Sequence, residues 1–369
     1  MELSYDDTMH VKKVYEDFYG QLTDVSDYMR IKKLEALSQL PPQLFSHSDD
    51  YFDSYDMSPM DMDFEIVDVS QQQFTSLLEY TTSWGFETTP GRLLRYGIKE
   101  KNTNRFIGLI KMGSPVINMK PRNVMLGGVP KLPIFNRHAT MGFCIVPMQP
   151  FGFNYLGGKL LALICASHFI RREWNKKYDT EICMFETTSL YGDIKGVSQY
   201  DGLKPFMRYK GLSESKFLQS FLDKQYDYLR DFFKIRNGGV PILKRPQASY
   251  RMKIQNMILG ILKKNLRIHD QQMYDDFSKF ISERVSLTSK KRYYVGHYGY
   301  KNALEYIKGD EPKLIKNVNF DRFEMDNVIE WWRKKAQRRF ETLKKDGRYR
   351  TEQEIWDINE VRKEFDIIR

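Results

Sequence analysis

Apolar residues recur at helical spacing from the start of the chain. Val11, Val14, Tyr15, Phe18, Tyr19 and Leu22 share one helical face, so residues 8–40 are expected to be mostly helical until Pro41-Pro42 ends the run. Residues 41–65 read as a linker, and residues 71–82 as a further helix with Phe74, Leu77 and Leu78 on one side. From about residue 92 the pattern changes. RFIGLIKM (105–112), TMGFCIV (140–146) and EICMFETT (181–188) each read as a strand. Between the first two lies a stretch punctuated by Pro and Gly, read as loops or short strands. A Gly-rich turn over 151–158 leads into an apolar helix over 159–174. Residues 198–209 predict a short helix, 210–212 a turn and 214–236 a helix. Beyond Pro246 the chain reads as helical and basic. One stripe runs through Ile254, Met257, Ile258, Ile261 and Leu262, and another through Val328, Trp332, Phe340 and Leu343.

These elements give an α/β (α+β) chain: a mixed sheet flanked by helices, followed by a basic helical C-terminal domain. Three parts are expected, an acidic and mostly helical segment over 1–90, an α/β core over 91–240 and the basic helical part over 241–369. A length of 369 residues suits about two domains. The most apolar run, 156–170, is interrupted by Lys159 and His168, and mean hydropathy is −0.57, which argues against a membrane span. The start, MELSYDDTMH, has no apolar core of a secretion signal, so a cytoplasmic location and no membrane partner are expected. Cys144, Cys165 and Cys183 are odd in number and set among apolar residues, the pattern of buried thiols in a reducing compartment. None of the six histidines sits at ligand spacing with a cysteine or another histidine, so no metal site is expected.

Charge changes the picture further. Net charge is +10 overall, but −13 over residues 1–90, +13 over 91–239 and +10 over 240–369. An acidic front on a basic body points to a polyanion as partner. The stretch 49–68 holds eight acids and no base. It reads either as a solvated linker or as an acidic flap that competes with nucleic acid, docked through Tyr51, Phe52, Tyr55 and Phe64. The runs Lys290-Lys291-Arg292-Tyr293-Tyr294 and Trp331-Trp332-Arg333-Lys334-Lys335 mix cations with rings, and Arg338 follows. Cations neutralise phosphates and exposed rings stack on bases, so these positions are nucleic-acid candidates. The other reading places Trp332 in a core stripe and the charges on a solvated face.

The informative centre is the glycine turn. Successive backbone N–H groups at a helix N-terminus hold phosphates, glycines let a ligand approach, and Lys159 adds a charge. A tight strand-to-helix turn with no ligand explains the same glycines. The run is not a Walker A loop, because Gly152 to Lys159 is one residue too long and Leu160 stands where Ser or Thr is required. The dinucleotide-binding G-x-G-x-x-G and the G-x-S-x-G nucleophile elbow are absent. The strand–loop–helix–strand unit resembles the cofactor-binding core of the GNAT (GCN5-related N-acetyltransferase) fold. Asn154-Tyr155-Leu156-Gly157-Gly158-Lys159 aligns with that family's pyrophosphate loop. The resemblance implies acyl-CoA as a possible cofactor held by Asn154, Gly157, Gly158 and Lys159, although Asn154 and Lys159 depart from the family's pattern.

The segments 106–116 (FIGLIKMGSPV), 151–167 (FGFNYLGGKLLALICAS), 186–192 (ETTSLYG) and 198–212 (SQYDGLKPFMRYKGL) also resemble the Druantia protein A family. That family occurs in phages, mobile elements and an antiphage defence system. The resemblance implies a phage or mobile-element protein acting on nucleic acid in the host cytoplasm. By fold analogy with Mom, a phage DNA-modifying protein, it suggests group transfer onto a base or amine. Such a reaction needs a base, an acid and amides that polarise a carbonyl. Glu186, on a predicted buried strand, is the candidate base, unless it pairs with a nearby Arg or Lys. Ser189 and Tyr191 are candidates for acid or substrate contact, or make turn hydrogen bonds before Gly192. Asp201, next to Tyr200, completes the catalytic candidates, with helix capping as its other role. A non-catalytic nucleic-acid-binding protein on a GNAT-like scaffold, or an interaction protein working through the acidic segment, are the alternatives.

Overall fold

The structure, a computed structural model, describes residues 1–40, 47–83, 85, 89, 91–214, 218–244, 250–288 and 290–359, with only the backbone described at 47, 48 and 191. Seven strands build one mixed sheet: β1 (Phe64–Asp68), β2 (Leu93–Glu100), β3 (Arg105–Gly113), β4 (Ala139–Pro147), β5 (Met184–Ser189), β6 (Arg208–Glu214) and β7 (Lys290–Gly296). Their order is β1-β2-β3-β4-β5-β7-β6. β1 to β4 form an antiparallel meander, β4 and β5 are parallel, and β5 and β7 are antiparallel. The α/β class expected from the sequence is thus what the chain adopts, and none of the described helices is long and apolar enough to cross a membrane.

Two compact units divide the chain. One joins residues 1–35 to 215–290, and the other joins 36–214 to 291–362. The division differs from the three consecutive parts expected from charge. Burial decides it: residues 291–296 complete the sheet, and helix Met325–Lys345 buries Val328, Ile329, Trp332, Ala336, Phe340 and Leu343 in the core of the same unit. The basic C-terminal part is therefore no separate helical domain, and it contributes a strand.

The first unit is helical. Ser4 caps helix Tyr5–Tyr19 by accepting from the Asp7 N–H at 3.1 Å, satisfying a donor that the helix start leaves open. Val11, Tyr15, Phe18 and Tyr19 bury the apolar face. Gln255, buried on helix Tyr250–His269, donates to the Tyr19 hydroxyl and the Gln219 carbonyl, both at 2.8 Å.

In the sheet unit, helices Gly157–Cys165, His168–Tyr178 and Met325–Lys345 supply the core against one face, with Tyr96, Ile110, Ile145, Phe185 and Tyr294. The other face buries Met141, Met184, Tyr293 and Val295 with Phe135 of helix Leu132–His138. The stretch between β3 and β4 holds two short helices, Lys120–Leu126 and Leu132–His138, each begun by Pro at its first turn. The apolar helix predicted over 159–174 is two helices, interrupted at Ala166-Ser167. Residues 198–207 form turns where a helix was expected, and 210–212 lie inside β6.

The acidic stretch is no solvated linker over its described part. Tyr51 bridges to Phe106, and Tyr51, Phe52, Tyr55, Met62 and Phe64 are core residues. Asp63 pairs with Lys101 at 2.9 Å, and Asp53 pairs with Arg105. Residues 41–46 lie outside the described residues. All three cysteines are buried thiols.

His168 opens the second of the two helices, at the interruption. Its Nε2 donates to the Phe320 carbonyl at 3.0 Å and its Nδ1 accepts from Arg171 at 3.1 Å, an arrangement only the neutral imidazole satisfies. Burial, then the Arg171 charge, hold the imidazole down to about 4. Between that value and the ordinary 6.5, the unfolded chain binds a proton that the folded chain refuses, so stability falls as pH drops. Urea unfolding at pH 7 and pH 5 is expected to show this loss, reduced in His168→Gln. An equal loss in both proteins would assign it to other groups.

Candidate functional site

The parallel pair β4–β5 is short. It runs from Ala139↔Met184 to Gly142↔Thr187, closed by the Thr187 hydroxyl donating to the Gly142 carbonyl at 2.9 Å. β4 continues to Pro147 without β5 beside it. Ile145, three residues past the last pair, gives its carbonyl to the side-chain amide of Gln199 at 3.0 Å.

The glycine turn meets the same residue. Leu156, at φ 54°, turns the chain into helix Gly157–Cys165. Tyr155 anchors the turn: its hydroxyl donates to the carbonyls of Tyr55 (3.0 Å) and Met57 (3.1 Å), and its own carbonyl accepts from the Trp332 indole at 2.8 Å. A Cβ on Gly158 would lie 2.9 Å from the Gln199 Cδ and closer still to its Oε1. One on Gly157 would lie 2.7 Å from the Phe151 ring. Both glycines therefore allow close approach of this chain's own side chains. The Lys159 ammonium donates to the Gln199 carbonyl at 3.2 Å and to the Asp201 carbonyl. Burial lowers its affinity for a proton, Asp201 opposes this, and Lys335 adds to it.

Asp201 gathers a second set of groups. Its Oδ1 accepts from the Tyr294 hydroxyl at 2.8 Å and from Arg292 at 3.2 Å, and its Oδ2 from the Ser198 N–H at 2.8 Å. Arg292 also donates to the Gly196 carbonyl at 2.8 Å. The structure thus brings Gly158, Lys159, Asp201 and Arg292 together around residues 196–201.

Glu186 is elsewhere. Tyr293 and Tyr294 alternate along β7, so the Glu186–Tyr293 and Asp201–Tyr294 bonds lie on opposite faces of the sheet. Glu186 is fully buried. Its Oε1 accepts from Arg122 at 2.9 Å and its Oε2 from the Tyr293 hydroxyl at 2.7 Å. Burial raises its carboxyl above the ordinary range, while Arg122 and the Tyr293 hydroxyl oppose the rise. Arg122 lies over the Phe135 ring and donates to the Ile117 carbonyl at 2.8 Å. This is the ion-pair reading of Glu186, and its partner comes from the Pro/Gly stretch.

The other candidates scatter. Ser189 is buried and its Oγ accepts from the Gly192 N–H at 3.0 Å, a turn bond. Tyr191 lies in helix Leu190–Ile194, and its side chain is outside the described residues. Asn154 is buried and exchanges hydrogen bonds with the Arg350 backbone. Lys290 is exposed and Lys291 half-buried. Arg333 is half-buried and donates to the Met62 carbonyl, and Lys334 pairs with Glu330 at 3.2 Å. Arg338 is exposed. Tyr293 and Tyr294 are core rings, which corrects their reading as exposed stacking rings, and Trp332 lies in the core stripe, as its other reading has it.

A basic group that the sequence pattern did not single out lies around Phe153. Arg339 sits 4.7 Å and Arg350 4.2 Å from its ring centroid. Burial, then the nearby charges of Arg348 and Arg350, make the Arg339 guanidinium less basic than usual. Arg348 pairs with Asp346 at 2.6 Å, and Lys335 is exposed over Trp331. Like charges held this close favour a bound polyanion. Among the described residues no group of three or more His, Cys, Asp or Glu is placed to hold a metal.

Residues 21–212 match the family described as Druantia protein DruA. No curated protein and no solved structure matches the chain.

Proposed function

The chain belongs to the Druantia protein DruA family, and we propose that it is a non-catalytic nucleic-acid-binding protein using its mixed sheet as a GNAT-like scaffold. The observation that carries this reading is the placement of Arg339 and Arg350 over Phe153, with Arg348 near enough for its charge to act on Arg339, and Lys335 and Arg338 exposed on the helix that carries Arg339. Asp346 offsets only one of these charges by direct pairing. Phosphates would replace the mutual repulsion with attraction and release counterions. The parallel β4–β5 pair that parts beyond Gly142 supports the scaffold analogy. Group transfer would need the space past that point, where Gln199 reaches Ile145, and Lys159 is already bonded to two carbonyls.

The test is fluorescence anisotropy with a labelled 20-base-pair duplex and its single strand between 50 and 200 mM salt. Salt-dependent binding is expected. Arg339→Gln with Arg350→Gln should lower the salt slope by about 2 and weaken binding about tenfold, as loss of two phosphate contacts requires. Binding with the parent slope, or no salt-dependent binding by the parent, would overturn the reading. Acyl-CoA binding that a Gly158→Asp variant abolishes would favour transfer.

A further inference from the structure

We propose that edge strand β6 carries a seat for one unpaired nucleobase, with the ring of Tyr209 as its stacking platform. The inference rests on the nucleic-acid reading above and names the form of nucleic acid that this edge fits.

β6 closes one edge of the sheet, beside β7. Arg208, Tyr209 and Lys210 are consecutive and all exposed. Tyr209 is 44% exposed, large for a ring held so firmly. The Arg292 guanidinium lies 4.6 Å from its centroid, and the Tyr294 ring lies 5.7 Å away at 55°. Arg292 is in turn fixed by the Gly196 carbonyl and Asp201, and Tyr294 by its own bond to Asp201. The ring therefore keeps an accessible surface without free rotation, so stacking on it orders little that is not already ordered.

The surroundings suit a flat, weakly polar ligand attached to phosphate. Gly196, which receives Arg292, stands between Ile194, 52% exposed, and Val197, 59% exposed. Arg208 and Lys210 alternate with Tyr209 along the strand and so face the other side of the same edge. Neither forms an ion pair among the described residues. Their positive field reaches His297, whose imidazole is held to about 4 by burial and then by Lys210, with Arg208 adding to it and Glu305 opposing. A strand lying along this edge would meet a ring and apolar side chains on one side and two unpaired cations on the other. A duplex keeps its bases stacked inside and offers the ring nothing.

The experiment uses the full chain with a fluorescein-labelled 20-mer, as single strand and as duplex, at fixed salt. The parent is expected to prefer the single strand. Tyr209→Ala should weaken single-strand binding about tenfold and leave duplex binding unchanged, and Tyr209→Trp should keep the preference. Circular dichroism checks that both variants fold. If Tyr209→Ala changes neither affinity, or both equally, the seat is wrong while the phosphate-binding reading stands. If the parent binds neither oligonucleotide, that reading fails and this one with it. If Arg339→Gln with Arg350→Gln weakens both ligands while Tyr209→Ala weakens only the single strand, both hold.

Discussion

Glu186→Ala is expected to destabilise the fold by about 3–5 kcal/mol, the usual consequence of removing one partner from a buried ion pair. Both side chains of the Arg122–Glu186 pair are fully buried. Without the carboxylate, the guanidinium keeps its bond to the Ile117 carbonyl and its place over Phe135, but its charge is no longer balanced. Among the described residues its Nε has no hydrogen-bond partner even in the intact pair. The Tyr293 hydroxyl loses its acceptor as well. Most of the penalty comes from the stranded charge, so the double variant Arg122→Met with Glu186→Leu should recover most of the lost stability. Urea unfolding of the parent, the single variant and the double variant measures this directly. A Glu186→Ala protein as stable as the parent would remove the structural account and return Glu186 to the candidates for general base.

The pair also shows what the sequence could and could not convey. Glu186 is legible as buried, because it directly follows the apolar run ICMF (182–185) on a predicted strand. Its partner is not, since Arg122 lies 64 residues earlier in a stretch broken by Pro and Gly, where spacing says nothing about tertiary contact. The strands that the sequence predicts, β3, β4 and β5, are marked by the uninterrupted apolar stretches FIGLI, MGFCIV and ICMF. β1 was hidden in the acidic stretch. It is an edge strand, and Glu65 and Asp68 are its exposed positions. β7 was hidden because Lys290, Lys291 and Arg292 precede Tyr293, Tyr294 and Val295, and burial on both faces erases the alternation that marks a strand. The same run supplied the expectation of base-stacking rings, which the core absorbed. Lys159, Gly158 and Asp201 were each legible as unusual from local chemistry. Their meeting depends on the turns over 198–207, where the residue pattern alone predicts a helix.

Gly158→Leu is expected to cost about 2 kcal/mol, because of what lies beside the glycine. Leucine is a better helix former than glycine by about 0.8 kcal/mol, so an open helix start would gain stability from the change. Here the new Cβ would fall 2.9 Å from the Gln199 Cδ. Gln199 cannot withdraw freely, because its amide is bonded to the Ile145 carbonyl and its own carbonyl to the Lys159 ammonium. Overpacking of this kind costs roughly 1–3 kcal/mol, and losing the bond to Ile145 adds about 1 kcal/mol. Gln199→Ala in the Gly158→Leu background should remove the clash and restore about 1 kcal/mol or more, so the two changes should be strongly non-additive. Thermal and urea unfolding of the four proteins in this cycle gives the coupling. If Gly158→Leu is as stable as the parent, the space beside Gly158 is open, and the N-terminus of helix Gly157–Cys165 is free to receive a phosphate. That result would reinstate the cofactor reading of Asn154, Gly157, Gly158 and Lys159. A coupled penalty relieved by Gln199→Ala means that the chain fills this position itself, and that Gly158 serves packing between the turn over 198–201 and the helix.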